Sequence, residues 1–271
     1  MDVYGLVGNP VGHSVSPVLH GAAYEALGLD ARYVTLEPDP DRLGEAIEGA
    51  EALGIAGLNV TIPFKEAVLD YVDPDETAER IGAVNTVDFS TSPPSGYNTD
   101  ASGARRALEH HDVDPGEGTA VVVGAGGAAR AIGFMLVEAG ATVHVANRTE
   151  SRAAALASEL DASGHPIADV PELANRADLL INATSVGMES DESPVSPSVF
   201  HADMTVMDAV YTPLETRFLR EAAAAGATTI DGAWMLLYQG VEALERWTGE
   251  RAPVEAMNGA LRAEIAGEET E

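Results

Sequence analysis

Val121-Val-Val-Gly-Ala-Gly-Gly-Ala-Ala-Arg130 is the stretch of sequence that decides the fold of this chain. The apolar run from Ala120 to Val123 predicts a buried strand, and the residues from Gly126 to Ala139 predict a helix. Glycine permits a tight turn at position 124 and a close approach of the backbone to a ligand at position 126, while Ala129 is small enough for the helix to pack on the strand. A strand, a glycine-rich turn and a helix in this order predict a site for the pyrophosphate of a dinucleotide, against the alternative of an ordinary strand-to-helix turn.

The end of the next predicted strand indicates which dinucleotide binds. An acidic residue about 20 positions after the glycines would accept hydrogen bonds from the ribose of NAD. Here that place holds Asn147, followed by Arg148, Thr149 and, three residues on, Arg152. A guanidinium group can hold a phosphate through two parallel hydrogen bonds. We therefore predict NADP as the cofactor, with Arg148, Arg152 and also Arg130 as the cations near its 2′-phosphate, although Arg152 could instead face water.

Strand and helix patterns alternate on both sides of this turn. The predicted strands are residues 3–7, 32–36, 55–62, 83–89, 120–123, 142–146, 178–182, 205–209 and 227–230. The predicted helices are residues 16–27, 39–53, 101–110, 126–139, 150–160, 214–225, 233–247 and 254–265. This alternation predicts an α/β protein with two α/β domains. We place a parallel or mixed sheet in residues 1–100, completed by the C-terminal residues 239–271, and a Rossmann-like NADP domain in residues 101–238.

Composition narrows the classes of partner. The 271 residues include 44 acidic and 15 basic side chains, for a formal net charge of −29, and Lys65 is the only lysine. This net negative charge repels nucleic acid, which is therefore not an expected partner. We interpret the excess of acidic side chains as adaptation to a cytoplasm of very high salt, with a generic acidic protein as the alternative. The absence of cysteine excludes a thiolate metal site, and we expect no metal. No apolar run reaches the roughly 20 residues of a membrane span, so we expect a cytoplasmic protein without a membrane partner.

The first domain carries polar residues typical of a small-molecule site. Ser14 and Ser16 precede a predicted helix, where two hydroxyls and the helix N-terminus can bind a carboxylate, unless Ser16 only caps that helix. Asn59-Val-Thr-Ile-Pro-Phe-Lys65 lies at the end of a predicted strand, with Asn59 and Thr61 on one face. Asn85 adds a carboxamide and Asp100 a carboxylate, although Asp100 could equally cap the helix predicted to begin at residue 101.

Seven motifs, taken in order along the chain, resemble those of the shikimate dehydrogenases. They are Ser-Val-Ser at 14–16, Asn-Val-Thr-Ile-Pro-Phe-Lys at 59–65, Gly-Ala-Val-Asn-Thr at 82–86, Asn-Thr-Asp at 98–100, Gly-Ala-Gly-Gly-Ala at 124–128, Asn-Arg-Thr at 147–149 and Asn-Ala-Thr-Ser-Val-Gly-Met at 182–188. The chain departs from many members at Ala129, where they have serine. The resemblance implies reversible, NADPH-dependent reduction of 3-dehydroshikimate to shikimate, in aromatic amino acid biosynthesis.

The resemblance also implies roles for individual residues. Lys65 and Asp100 would be the catalytic pair, with Lys65 as the acid in reduction and Asp100 as its positioning partner. Which of the two holds the proton in oxidation stays open. The substrate would be held by Ser14, Ser16, Thr61, Asn85, Asp100 and Gln239, with Tyr211 beside it. The cofactor would be bound by Glu76, Gly124, Ala125, Gly126, Gly127, Ala128, Asn147, Arg148, Thr149, Arg152, Ala209 and Gly232, the last two flanking the nicotinamide.

Two other functions remain as alternatives. One is a quinate or dual quinate/shikimate dehydrogenase, which shares the scaffold; Ser16 and Asn147-Arg148 lean against an NAD-linked quinate enzyme. The other is a non-catalytic module that senses a ligand on the same scaffold. The presence of both Lys65 and Asp100 favours an enzyme, because a sensor could lose either one. A homodimer is an open alternative for the assembly.

Overall fold

The computed structural model describes residues 1–268, which form two α/β units. The first unit comprises Met1–Thr99 and Gln239–Gly267, and the second comprises the continuous segment from Asp100 to Tyr238. The chain therefore leaves the first unit once and returns to it. Of the C-terminal segment expected at 239–271, residues 269–271 lie outside the described part.

The first unit is built on a mixed sheet of six strands. Its elements are β1 (Asp2–Val7), α1 (Ser16–Leu27), β2 (Ala31–Leu36), α2 (Leu43–Ala52), β3 (Gly57–Val60), β4 (Asp73–Pro74), α3 (Glu76–Ile81), β5 (Thr86–Asp88) and β6 (Ser95–Tyr97). Helix α4 (Thr99–His110) follows β6 and leads into the second unit. The strand order is β2-β1-β3-β5-β6-β4. Strands β1, β2 and β3 are parallel, whereas β5 runs antiparallel to β3 and β6. The short β5–β6 connection requires this reversal, because a parallel pair needs a long crossover.

The second unit is built on six parallel strands. Its elements are β7 (Thr119–Val123), α5 (Gly127–Ala139), β8 (Thr142–Asn147), α6 (Glu150–Leu160), β9 (Ser163–Pro166), α7 (Val170–Ala174), β10 (Leu179–Asn182), β11 (Thr205–Asp208), α8 (Arg217–Ala224) and β12 (Thr228–Ile230). The strand order is β12-β11-β10-β7-β8-β9. This is the doubly wound order of a Rossmann-like sheet, and its switch point lies between β7 and β10. The predicted fold class is thus confirmed.

The cores explain why these strands are central. Val121, Val122 and Val123 in β7 and Leu180 and Ile181 in β10 are fully buried. Strands that are apolar on both faces belong in the middle of a parallel sheet covered by helices on both sides. In the first unit the same holds for β3, where all four residues of Gly57–Val60 are buried. The carboxyl ends of β3, β7 and β10 are therefore held in place by the best-packed parts of each unit.

Two helices follow the second sheet. They are α9 (Gly232–Thr248) and α10 (Val254–Glu268), and the boundary between the two units falls inside α9, after Tyr238. Within residues 1–268, none of the helices combines the length and the apolar character that a bilayer crossing demands.

Some predicted boundaries were wrong for local reasons. The helix expected at 39–53 is a 3-10 turn at Pro40–Arg42 followed by α2. Helix α8 begins at Arg217 instead of Leu214, because the Thr216 side chain accepts a hydrogen bond from the Leu219 N–H (3.3 Å) and so caps the helix there. Strands β4, β6 and β9 and helices α3 and α7 were not predicted.

Candidate active site

The glycine-rich turn after β7 has the backbone that the motif requires. Gly124 has a φ of +131°, and a Cβ atom there would lie 2.6 Å from the Ala183 carbonyl oxygen, so no other residue fits without distortion. Gly126 is the N-cap of α5 and makes no side-chain cap bond, while a Cβ at Gly126 or Gly127 would meet nothing within 4 Å. The start of α5 therefore has open space around Gly126 and Gly127 and no side-chain cap for its first N–H groups, which suits a phosphate group.

A cavity of about 630 Å³ opens beside this turn at the switch point of the second sheet. Residues that follow three strands line it. Those after β7 are Gly124, Ala125 and Gly126; those after β8 are Asn147, Arg148 and Arg152; those after β10 include Thr184, Ser185 and Val186. A volume of this size falls in the range of small-molecule and cofactor sites. The residues present therefore fit the pyrophosphate and adenosine part of a dinucleotide.

The arginines of this region have different roles. Arg148 and Arg152 line the cavity with exposed side chains, and in residues 1–268 neither forms an ion pair with a carboxylate. Arg130, in contrast, forms an ion pair with Glu159 of α6. The Arg130 guanidinium thus already has a carboxylate partner, and its place near the 2′-phosphate stays a prediction. Two guanidinium groups remain for a phosphate.

The segment Thr184–Val186 was not predicted to take part in the site. The sequence signal was present, since these residues closely follow the buried strand β10 (Leu179–Asn182). Their place in the cavity, however, depends on β10 being the neighbour of β7. Ile167 and residues 192–194 also line the cavity and come from connections whose position no local pattern indicates.

In the Ser14–Ser16 segment of the first unit, the alternative of Ser16 as the helix N-cap was wrong. Ser16 is the first residue of α1 and not its N-cap, a place taken by Val15 without any side-chain bond. The Ser14 hydroxyl instead accepts a hydrogen bond from the Ser16 N–H (3.2 Å). The start of α1 therefore places helix N–H groups beside two hydroxyls, which is an arrangement that can bind a carboxylate.

The segment from Asn59 to Lys65 continues from the buried end of β3. Thr61 follows the strand and donates its N–H to the Val7 carbonyl (2.8 Å), while the buried Phe64 donates its N–H to the Thr61 carbonyl (2.9 Å). Lys65 comes next and is half-buried, and its carbonyl accepts a hydrogen bond from the Val84 N–H (2.8 Å). The backbone of Lys65 is thereby tied to the residue that precedes Asn85.

Buried hydrogen bonds connect the carboxamides of the first unit. The Tyr33 hydroxyl donates to Asn59 Oδ1 (2.7 Å), and Asn59 Nδ2 donates to Thr86 Oγ1 (3.0 Å). Thr86 Oγ1 donates to Asn85 Oδ1 (3.1 Å), and Asn85 Nδ2 donates to Gln239 Oε1 (3.3 Å). Of the predicted substrate residues, Asn85 and Gln239 are thus in direct contact, although 154 positions separate them.

A buried histidine supports this network. His20 is 1% exposed and stacks on Tyr33 with ring centroids 4.4 Å apart and planes within 4°. Burial lowers the pKa of His20 to about 3, and burial also raises the pKa of Tyr33 well above its usual value. Both rings therefore stay neutral at physiological pH, so that Tyr33 can act as a hydrogen-bond donor to Asn59.

Three family models match most of the chain. The model described as the shikimate dehydrogenase substrate binding domain matches residues 6–87, that of shikimate / quinate 5-dehydrogenase matches residues 107–190, and that of the shikimate 5′-dehydrogenase C-terminal domain matches residues 232–262. A curated relative from Haloarcula marismortui, named shikimate dehydrogenase (NADP(+)), is 68% identical over 97% of this chain and 99% of its own length. The chain belongs to the shikimate dehydrogenase family.

Solved shikimate dehydrogenases share the whole fold. One crystallised with NADP⁺ is 41% identical, with a TM-score of 0.93 over 98% of this chain and 96% of its own. Another, from Thermus thermophilus and crystallised with NADP(H) and shikimate, is 40% identical, with a TM-score of 0.90 over 97% of this chain and 100% of its own. The predicted family, the NADP-dependent oxidoreductase class and the cofactor NADP are therefore confirmed.

The remaining residues that the shikimate dehydrogenase resemblance selected lie in both units. Asp100 is in the first turn of α4, which begins at Thr99, so the alternative of Asp100 as the N-cap was wrong. Tyr211 is half-buried after β11, and Gly232, at the start of α9, lies against the backbone of Ala209 and Val210, where a Cβ would clash. Glu76 is the first residue of α3 in the first unit. Gly127 and Ala128 open α5 and Thr149 precedes α6, beside the cavity lining.

Proposed function

We propose that this chain catalyses the reversible reduction of 3-dehydroshikimate to shikimate with NADPH, as a step of the shikimate pathway. The observation that carries the proposal is the cavity at the switch point, where a glycine turn meets two arginines that have no carboxylate partner within residues 1–268, in a chain that has few cations. The unit that contains Asp100–Tyr238 is the NADP domain, and the unit formed by Met1–Thr99 and Gln239–Gly267 is the substrate-binding and catalytic domain.

The cofactor residues divide by the part of NADP that they hold. The turn Gly124–Ala128 and the start of α5 bind the pyrophosphate, and Asn147, Arg148, Thr149 and Arg152 bind the 2′-phosphate. Ala209 and Gly232 flank the nicotinamide ring, and Glu76 is a further cofactor residue. When bound, NADPH supplies the hydride for the substrate carbonyl carbon.

The substrate residues provide recognition and proton transfer. Ser14 and Ser16 bind the carboxylate, Thr61, Asn85, Asp100 and Gln239 bind the hydroxyl groups, and Tyr211 lies beside the ring. The Lys65 ammonium donates a proton to the carbonyl oxygen as negative charge develops there, which forms the new hydroxyl of shikimate. Asp100 positions Lys65; in oxidation the same hydroxyl proton returns to this pair.

Replacement of Lys65 tests the proposal. For Lys65→Ala we expect kcat to fall by about 10²- to 10⁴-fold, because the proton donor is removed, with only a modest change in KM for shikimate. The assay follows the absorbance of reduced nicotinamide, in molar salt, with shikimate and NADP⁺. Glu66→Ala, at the exposed neighbouring position, is the matched control. Full turnover by Lys65→Ala would remove Lys65 from the mechanism.

The same assay separates the alternatives. A quinate dehydrogenase would oxidise quinate at a rate comparable to that of shikimate, and a ligand sensor would bind shikimate but turn over neither compound. We propose a cytoplasmic enzyme whose partners are small molecules and not nucleic acid or membrane, since an excess of acidic side chains repels both polyanions and anionic lipid. A homodimer is the assembly to test, by light scattering in molar salt.

A further inference from the structure

Asp208 is a fully buried carboxylate that the proposed reaction does not use. It is the last residue of β11, is 0% exposed, and accepts three hydrogen bonds. Its Oδ1 atom accepts from Asn182 Nδ2 (2.9 Å) and from the Val210 N–H (2.9 Å), and its Oδ2 atom accepts from Thr216 Oγ1 (2.6 Å). A buried carboxylate with this many donors holds all of them in a fixed geometry.

The charge of Asp208 has no cation beside it within residues 1–268. In that part of the chain Asp208 forms no ion pair, and its donors are an amide, a backbone N–H and a hydroxyl. Burial raises the pKa of Asp208 to about 6 although all three hydrogen bonds lower it. A buried carboxylate without a cation is costly even when it is hydrogen-bonded, which points to a role for Asp208 besides its place in the sheet.

The first of these donors leads directly to the cavity. Asn182 ends β10, and its Oδ1 atom accepts from both the N–H (3.1 Å) and the hydroxyl (2.7 Å) of Thr184. Asn182 Nδ2 also donates to the Val186 carbonyl (3.1 Å), and the Val186 N–H donates to Thr184 Oγ1 (3.1 Å). Thr184 and Val186 line the cavity, so Asp208 fixes the carboxamide around which that wall is folded.

The other two donors lead to the segment after β11. The Val210 N–H anchors the backbone of Ala209 and Val210, against which Gly232 packs. Thr216 lies at the end of the same segment. Its hydroxyl also accepts a hydrogen bond from the Leu219 N–H and so caps the start of α8. One carboxylate thus joins the segment after β10, which lines the cavity, to the segment after β11, which carries Ala209.

We propose that Asp208 is a positioning residue for the nicotinamide cofactor, acting through Asn182 on the cavity wall at Thr184–Val186 and through Val210 on the backbone at Ala209. This inference rests on the proposed function, because it assigns NADP to that cavity. Only an acceptor with two oxygen atoms satisfies all three donors. Asparagine keeps Oδ1 for Asn182 and Val210 but turns an NH₂ group toward Thr216 Oγ1, so that the hydrogen bond which this hydroxyl donates to the carboxylate is lost.

Asp208→Asn tests the inference, with Asp178→Asn as the matched control. Asp178 precedes the same strand, β10, at its other end, and is an exposed acceptor for the Thr119 N–H (2.8 Å). By calorimetry in molar salt, we expect the Kd for NADP⁺ to rise about tenfold in Asp208→Asn, which corresponds to the loss of one buried hydrogen bond. The Kd for shikimate should stay near its native value, and Asp178→Asn should bind NADP⁺ as the native protein does.

Steady-state kinetics adds a second readout. In Asp208→Asn the KM for NADP⁺ should rise while the KM for shikimate stays constant, a split that general loosening of the fold would not produce. If Asp208→Asn does not fold, Thr216→Val and Thr216→Ser replace it: the valine variant should weaken NADP⁺ binding, and serine, which keeps the hydroxyl, should restore it.

Each outcome has a distinct meaning. Unchanged NADP⁺ affinity in Asp208→Asn, or equal affinity in Thr216→Val and Thr216→Ser, overturns the inference. Equal weakening of NADP⁺ and shikimate binding also overturns it, because the effect would then be on the whole fold. If the native protein itself binds no NADP⁺, it is the proposed function that fails.

Discussion

We propose that the Arg148 side chain determines which nicotinamide nucleotide the cavity prefers. It lines the cavity and has no carboxylate partner in the described residues, so its charge is available to a phosphate. For Arg148→Ala we expect KM for NADP⁺ to rise by about 10- to 100-fold, the size of a lost charge-assisted hydrogen bond, and KM for NAD⁺ to change little. Arg176→Ala, exposed after α7, is the control. Equal effects on both nucleotides would contradict the assignment.

The burial of neutral His20 makes the free energy of unfolding depend on pH. Burial lowers its pKa to about 3, from the ordinary 6.5 that it has in the unfolded chain. Below pH 6.5 the unfolded chain therefore takes up a proton that the folded protein does not. The contribution of His20 to the free energy of unfolding is therefore complete above pH 6.5. It is lost as the pH falls toward 3, and the free energy of unfolding then decreases by up to about 1.4 kcal/mol per pH unit.

Urea unfolding in molar salt between about pH 7.5 and pH 5 measures this slope. The free energy of unfolding of the native protein should fall more steeply with pH than that of His20→Gln, which has no group to protonate at this position. His13→Gln, at an exposed position, should keep the native slope. Parallel curves for the native protein and His20→Gln would show that His20 is protonated in the folded state.

At the scale of elements, Thr86 at the start of β5 links the side chain of Asn59 in β3 to that of Asn85, which we propose binds the substrate. The Thr86 hydroxyl is fully buried and joins Asn59 to Asn85. Thr86→Val keeps the shape but removes one of the donors to Asn85 Oδ1, which then keeps the Thr99 N–H (2.7 Å). Because a buried hydrogen bond is lost, we expect KM for shikimate to rise about tenfold and KM for NADP⁺ to stay constant. Thr86→Ser should restore the native KM for shikimate. A tenfold rise that serine does not reverse would instead indicate a packing effect.

Local patterns explain which elements could be predicted. Strand β7 and helix α5 were predicted within one residue, because an apolar run and the glycines are local signals. Helix α3 has readable signals that were not used, since Asp75 caps it through the Ala78 N–H (2.8 Å) and Gly82 ends it with a φ of 70°. Strand β9, Ser-Gly-His-Pro, carries no strand pattern; it forms only because β8 offers a free edge.

The sequence selects a set of candidate site residues but does not contain their geometry. Asn85 and Gln239 were selected by resemblance, yet their hydrogen bond depends on the return of the chain to the first unit. The pairing of Arg130 with Glu159 likewise depends on how α5 and α6 pack, which residue spacing does not contain. Asp208 had no sequence signal, because a buried aspartate is recognised only once its donors are in place.

At the scale of the whole molecule, the net charge of −29 predicts a dependence on salt. In dilute buffer the 44 acidic side chains repel one another over about 10 Å, whereas in 1 M salt the screening length is about 3 Å. We expect the Tm to fall and activity to be lost on transfer from molar salt to dilute buffer. Circular dichroism melting at several KCl concentrations measures this, and a constant Tm with full activity would identify a generic acidic protein.

The order of segments along the chain has a consequence for biosynthesis. The second unit is one continuous segment and can fold as soon as it emerges from the ribosome, whereas the first unit waits for residues 239–267. Until then its sheet lacks the Trp247 indole that donates to the Val87 carbonyl (2.9 Å) and occupies the space left by Gly57. The nascent polypeptide therefore completes its second unit first, and the unit that holds Lys65 is the last to mature.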